Sequence, residues 1–211
     1  FVPGVDFTDP SYHLPHFYEL FARWANEEDR EFFAQAAEAS RKYLALACHP
    51  VSGMSAEYAE FDGTPMRRGL PWTKERHDWF FSDAYRTAAN IGLDYEWCKK
   101  DVGQCAAVKR LQYHLGVTQK GNMTGVFEVD GTPIGSAAKH PLGIIATTAQ
   151  GALALDGPIS LGDEDKEKAL AAEWVKRLWD EPMRSGKYRY YDNCLYVFAF
   201  LALSGNYRIY E

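Results

Sequence analysis

Apolar positions fall at helical spacing in seven stretches of the chain, and the width of the apolar face alternates from one stretch to the next. From Ser11 onward, Leu14, Phe17, Tyr18, Phe21, Trp24 and Ala25 make a broad apolar face. Asn26 then caps a second helix whose first turn, Glu27-Glu28-Asp29, places acids where the helix dipole favours them. That helix runs to about Cys48, with Phe33, Ala36, Ala37, Tyr43, Leu44 and Ala47 inward, and Pro50 stops it. Residues 50–79 hold Gly53, Gly63, Pro65, Gly69 and Pro71 and read as a long loop of the kind that binds something or lies over a site. A helix carrying Asp83 follows, then a charged one over about 101–115 with Val108, Leu111 and Leu115 inward. Gly125 to Gly131 reads as a short hairpin. Residues 142–155 carry no charge, which predicts a helix buried on all sides. Over about 163–180, Ala171, Trp174, Val175 and Leu178 form one apolar stripe and leave Lys and Glu to solvent, whereas 188–203 is again nearly charge-free and ends at Gly205.

This alternation predicts an all-α architecture with two concentric layers, buried inner helices and solvated outer ones, as in a toroid of helical hairpins. Seven helices do not close a ring of six hairpins. The inner helices are therefore expected to keep exposed apolar flanks that a partner segment covers. A chain of 211 residues suffices for one domain with its own core. It starts on Phe1 and not on Met, so an upstream region is expected.

Composition narrows the function classes. The net charge of −6, with no Lys/Arg-rich run, argues against nucleic acid as a partner. No apolar run reaches membrane-spanning length, and the start lacks the charged-then-apolar form of a signal peptide. Cys48, Cys98, Cys105 and Cys194 form no C-x-x-C pair, and no His cluster stands at zinc-ligand spacing. Free thiols in a reducing, cytoplasmic compartment and an absence of metal or cofactor are the expectation. Aromatic residues make up 15% of the chain, which suits a cleft for a neutral ring-shaped ligand and equally an ordinary core.

The chemistry centres on Trp79 to Leu93. Ser82 reads as the N-cap, Asp83 sits in the first turn, and Arg86, three residues on, shares its face. A held, ionised carboxylate among aromatic rings is what a sugar-cleaving enzyme needs to activate water. The same residues also read as a plain helix cap paired with Arg86.

Three stretches together resemble glycoside hydrolase family 8. They are Asp9-Pro10-Ser11-Tyr12-His13-Leu14-Pro15 with Phe17-Tyr18-Glu19, then Phe81-Ser82-Asp83-Ala84-Tyr85-Arg86, and Tyr190-Tyr191-Asp192-Asn193-Cys194-Leu195-Tyr196 with Leu203-Ser204-Gly205-Asn206-Tyr207. Tyr58-Ala59-Glu60 and Asp62-Gly63-Thr64-Pro65 resemble the branch of reducing-end xylose-releasing exo-oligoxylanases. The resemblance implies an (α/α)6 barrel of which residues 1–211 are the C-terminal half, and inverting hydrolysis of β-1,4-xylo-oligosaccharides from the reducing end, without metal or cofactor. It places Asp83 as general base and Arg86 as the residue holding base and sugar. Tyr12 matches a tyrosine lining the site; Tyr190 and Tyr191 stand where the family has a site tyrosine, and which of the two faces the sugar stays open. His140-Pro141 resembles the loop that reads the reducing-end hydroxyl, with Lys139 where the branch has Leu. Trp72 and His77 are weaker candidates for sugar contact, with loop packing as their other reading. The family's general acid is a Glu of the N-terminal half, so that half is an expected partner and the isolated chain is expected to be inactive. Glu57, Glu60 and Glu128 are the loop carboxylates that remain as substitutes. An endo-acting glucanase, xylanase or chitosanase of the same family, and a non-catalytic sugar-binding half-barrel, are the alternatives.

Overall fold

Proline at the first helical position starts two helices, α1 (Pro15–Trp24) and α5 (Pro141–Gln150), where its missing N–H leaves no helical bond unmade. Acid-rich first turns start α2 (Glu27–Ala47) and α6 (Glu164–Asp180), and the Asp163 carboxylate accepts the Lys166 N–H to cap the latter. Asp101 caps α4 (Val102–Tyr113) through the N–H groups of Gly103 and Gln104. With α3 (Arg86–Cys98) and α7 (Arg189–Leu203), these are the helices of a computed structural model that describes residues 4–120, 122–155 and 161–210.

Successive helices pack as hairpins, α1 with α2, α3 with α4 and α5 with α6. The odd helices also pack on one another in the order α1, α3, α5, α7, and the even ones in the order α2, α4, α6. The result is a two-layered arc, as the alternation predicts, and the fold is half of an (α/α)6 barrel. Its core centres on Ile144, Ala146 and Ala149 of α5, packed against Tyr85, Leu115, Trp174, Leu178 and Ala199. A small antiparallel sheet sits beside it, β1 (Trp79–Phe80), β2 (Gly125–Glu128) and β3 (Pro133–Ala137) in that order. The hairpin read over 125–131 is present but longer, with its return strand at Pro133–Ala137, and the end of the long loop adds a third strand.

The inner helices approach closely at glycine. A Cβ on Gly92 of α3 would lie 2.7 Å from the Gln150 carbonyl oxygen and 3.0 Å from the Cα of Gly151. Across the layers, Arg41 of α2 donates from Nε and Nη2 to both Asp94 oxygens (2.9 and 2.7 Å) and from Nη1 to Glu19 (2.7 Å). Burial pushes the Glu19 carboxyl up, but bonds from Lys100 and Arg41 outweigh it and hold the group below its usual range. One bidentate guanidinium thus ties α2 to α1 and α3.

Three expectations need correction. Residues 10–12 form a single 3-10 turn and α1 begins only at Pro15, because a proline there restarts the backbone. The charged helix α4 is largely covered, with Gln104 to Lys109 buried, since α2, α3 and α6 pack around it and Lys109 pairs with Glu167 at 3.1 Å. Charge-free α7 is covered on one side only: Ala199 and Ala202 are buried, whereas Phe198 is 50% exposed. Among the described residues, no helix is long and apolar enough to cross a membrane. All four cysteines are free, and burial pushes the Cys48 thiol up to about 12, which leaves it unreactive.

The Gly92 contact generates a prediction. Gly92→Ala forces backbone against backbone, and urea unfolding should show a loss of about 1–3 kcal/mol with an unchanged slope. An unchanged midpoint would mean that α3 and α5 can separate freely.

Candidate active site

The site is assembled where the N-terminal ends of the inner helices meet. Strand β1 delivers an extended Phe81, and Ser82 then adopts a left-handed φ of 47°, unusual for a residue with a side chain. Two contacts brace this turn. Tyr191 donates its hydroxyl to the Ser82 carbonyl (3.3 Å), and the Ala84 N–H bonds the Phe81 carbonyl (3.0 Å). Ser82 is therefore not the N-cap that the sequence suggests. Asp83 lies on a 3-10 turn over Ser82–Tyr85, and the α-helix starts only at Arg86.

The pairing of Asp83 with Arg86 is present, Nη2 to Oδ2 at 2.8 Å. The same nitrogen donates to the Ser11 hydroxyl (2.8 Å) and lies 4.0 Å from Asp9 Oδ2, and the guanidinium sits over the Tyr12 ring at 4.6 Å. Burial pulls the Arg86 pKa down, but Tyr191 and Asp83 outweigh it and keep the side chain charged. Asp9 accepts the Ser11 N–H on Oδ1 (2.8 Å), while its Oδ2 is buried without a hydrogen bond. Burial pushes this carboxyl up to about 6, more than Ser11 and Arg86 pull it back.

Next along the rim stands His140, which precedes α5. Its ring lies 4.5 Å from that of Tyr191 and 5.5 Å from that of Tyr188. Its Nδ1 is 3.6 Å from Asp192 Oδ2, too long for a hydrogen bond. Burial lowers the imidazole pKa, Asp192 draws it back up and Arg184 lowers it again, so the ring is neutral at pH 7. Asp192 is wholly buried; it accepts the Gly143 N–H of α5 (2.8 Å) and pairs with Arg184. One carboxylate thus pins the starts of α5 and α7 together. Tyr191 faces inward as a result, and burial, with Asp83 adding to it, pushes its hydroxyl pKa well up. Tyr190, one residue earlier, is 82% exposed and makes none of these contacts.

The long loop supplies the opposite wall. Glu57 Oε2 meets His77 Nδ1 at 2.6 Å, and His77 stacks on Tyr58 at 4.5 Å. Burial pushes the Glu57 carboxyl up; His77 pulls it back, while the charge of Asp83 adds to the rise. Glu57 and His77 are therefore gathered near Asp83. The other loop candidates are not: Glu60 pairs with Arg68 (3.3 Å), Glu128 accepts from the Trp79 indole (3.1 Å), and Trp72 is 70% exposed.

Asp9, Asp192 and Tyr58 had no role assigned from sequence. Asp192 carried the clearest signal, a lone acid inside a nearly charge-free helix, since such a charge has to be paired when it is buried. A recess of about 690 Å3 lies elsewhere, between α4 and α6 and lined by Lys109, Tyr113, Leu161, Glu167 and Leu170. Half a ring encloses no central cavity, and none of the rim residues Asp9, Asp83, Arg86, His140 and Asp192 lines this recess. No group of His, Cys, Asp and Glu among the described residues could hold a metal ion.

The fold is thus half of a helical barrel whose rim of inner-helix N-termini carries a guanidinium-held carboxylate, two further acids and several tyrosines. No family model matches the chain. It is 51% identical over 210 residues to the reducing-end xylose-releasing exo-oligoxylanase of Paenibacillus barcinonensis, an alignment covering 100% of this chain and 51% of the relative. It is 50% identical over 209 residues to that of Bifidobacterium adolescentis, covering 99% and 52%. The Paenibacillus enzyme complexed with xylose superposes with a TM-score of 0.88 at 50% identity, covering 100% of this chain and 52% of that one. Close homologues of the chain are thus reducing-end xylose-releasing exo-oligoxylanases of glycoside hydrolase family 8, and it spans about half their length.

Removing the Asp192 carboxylate tests the rim. Asp192→Ala leaves Arg184 and the Gly143 N–H without their acceptor and should cost about 2–4 kcal/mol, below the fully buried case because Arg184 reaches solvent. Denaturant unfolding reads this, and a midpoint within error of the parent would show that Asp192 does not hold α5 to α7.

Proposed function

We propose that the chain is the C-terminal half of the catalytic domain of an inverting glycoside hydrolase that releases xylose from the reducing end of β-1,4-xylo-oligosaccharides. The observation that carries this reading is the Asp83–Arg86 pair (2.8 Å), set on a braced turn among tyrosines in a chain homologous to such enzymes over its whole length. Asp83 acts as general base. It takes the proton of a water as that water attacks the anomeric carbon, and Arg86 keeps the carboxylate aimed. Tyr12 and Tyr191 line the sugar beside it. Inversion requires a second carboxyl roughly 6.5–9.5 Å from the base to protonate the leaving oxygen. That acid comes from the N-terminal half, which packs on this one as the other part of the same barrel. Glu57, engaged with His77, is already committed to an internal partner.

His140, neutral and held between Tyr191 and Asp192, reads the reducing-end hydroxyl and limits cleavage to one sugar. Lys139, the neighbour that departs from the branch, is braced over Phe81 at 5.2 Å, and its carbonyl accepts from Arg184. The substituted loop is thus still anchored to the rim. Free thiols support a reducing, cytoplasmic compartment.

Two measurements decide. In the complete enzyme, Asp83→Asn keeps the shape but cannot accept the water's proton, and xylotriose hydrolysis should fall by about 10²–10⁴; the isolated chain should be close to inert. An active Asn variant would reduce Asp83 to a turn residue, and full turnover by the isolated chain would place the acid within it. On xylotetraose, His140→Ala should change the product pattern more than the rate, because binding at a terminal subsite is largely uniform binding. Unchanged products at an unchanged rate would remove His140 from the site, and a parent enzyme that cuts mid-chain would favour an endo-acting relative.

A further inference from the structure

We propose that Asp9 is a positioning residue that shares Arg86 with Asp83 and so sets how tightly the guanidinium holds the base. The inference rests on the function proposed above. Arg86 Nη2 stands between the two carboxylates, 2.8 Å from Asp83 Oδ2 and 4.0 Å from Asp9 Oδ2. The two acids reach it from different inner helices, Asp9 from the turn before α1 and Asp83 from the turn before α3. Asp9 and Ser11 form a bracket: Asp9 Oδ1 accepts the Ser11 N–H, and the Ser11 hydroxyl accepts from Arg86. The Asn90 side chain donates to the Ser11 carbonyl (2.7 Å) and locks this bracket to α3. Asp9 Oδ2 is left buried with no hydrogen bond. A buried carboxylate oxygen without a hydrogen bond is costly and calls for an explanation, which the shared guanidinium supplies.

The groups facing Asp9 define what that charge can do. They are Arg86 and Asp83 from the α3 turn, Tyr43 from α2 and Tyr58 from the long loop. His13, stacked on Tyr43 at 4.3 Å, bonds Thr8 and Ser40, and burial lowers it to about 4, so it brings no charge at neutral pH. Arg86 is thus the cation within reach. Ionised Asp9 attracts the guanidinium and repels the Asp83 charge; both effects make Asp83 a stronger base. Protonated Asp9 does neither, and Arg86 then belongs to Asp83 alone. Burial places the Asp9 ionisation near pH 6. The base is therefore strengthened as pH rises through that value, which would shape the acid limb of the rate profile.

The test uses the complete enzyme on xylotriose, comparing parent, Asp9→Asn and Asp9→Glu from about pH 4 to pH 8. In the Asn variant, kcat above pH 6 should fall about tenfold with KM little changed, and the acid limb should lose one ionisation and move to lower pH. The Glu variant should restore the shape of the limb. A parent-like profile in the Asn variant, or an equal loss at every pH, would overturn the proposal, the latter showing a merely structural role. A second readout does not depend on activity: the Asp9 carboxyl is followed by carbon NMR in the parent and in Asp83→Asn. Removing the competing charge should lower its midpoint by about one pH unit or more, and an unmoved midpoint would overturn the sharing. A parent that does not hydrolyse xylotriose at all sinks the proposed function, while the NMR titration still decides the coupling.

Discussion

Backbone contact between Gly92 of α3 and the end of α5, at Gln150 and the Gly151 that follows it, sets the spacing of the inner layer, and the site follows from that spacing. Each outer helix returns the chain to the same end of the arc, so the inner helices all begin on one rim. Asp9 precedes α1, Asp83 and Arg86 open α3, His140 precedes α5, and Asp192 lies in the first turn of α7. Helix N-termini offer unpaired N–H groups and the positive end of a dipole, which favour carboxylates. Asp192 uses this directly by accepting the Gly143 N–H. A side chain at Gly92 would push two helices apart, and with them the residues that meet on the rim.

Rigidity at the rim comes from buried charge rather than from apolar packing alone. Arg41 fastens α2 to α1 and α3, Asp192 fastens α5 to α7 through Arg184, and Arg86 spans the turns before α1 and α3. Such pairs add little net stability over apolar packing, but losing one partner is severe. What they supply is position. Ser82 shows what that position imposes: its left-handed backbone is a local strain that the Tyr191 hydroxyl bond helps to hold, and it turns Asp83 out of the helix into the cleft.

Much of the framework was legible in the sequence, because long amphipathic periods depend on one residue's neighbours three and four positions away. The helices over 27–47 and 164–180 follow that pattern closely, while 141–150 was marked by its lack of charge and gives way to a 3-10 turn at Gly151 where the sequence suggested more helix. The site was legible in part. Asp83 with Arg86 is a local pair and could be read directly. The Ser82 cap could not, since its geometry depends on a tyrosine 109 positions later. Nor could the choice between Tyr190 and Tyr191, which differ by one residue and hence by about 100° around a helix; the Asp192 pairing decides which of them turns inward. The covering of α4 was hidden because its polar residues, Gln104, Lys109 and Gln112, find partners inside the fold.

The exposed apolar surface points the same way as the chemistry. Inner helices α3 and α5 leave no large apolar side chain exposed among the described residues, and the outer helices show isolated ones. At the two ends of the arc the exposure is grouped: Phe21, Trp24 and Phe32 on α1 and α2, and Tyr190, Val197, Phe198 and Leu201 on α7. Grouped apolar side chains at both free ends are what a ring shows when it is opened, and contiguous apolar patches of this kind call for a cover. A second arc closing on both ends would bury α7 on its uncovered flank and restore the inner position that its composition predicts. If the proposed function holds, the same closure encloses the rim, excludes water from around Asp83 and faces it with a carboxyl from the other half. On the function proposed above, apolar closure and the completion of a two-carboxyl site would be one structural event.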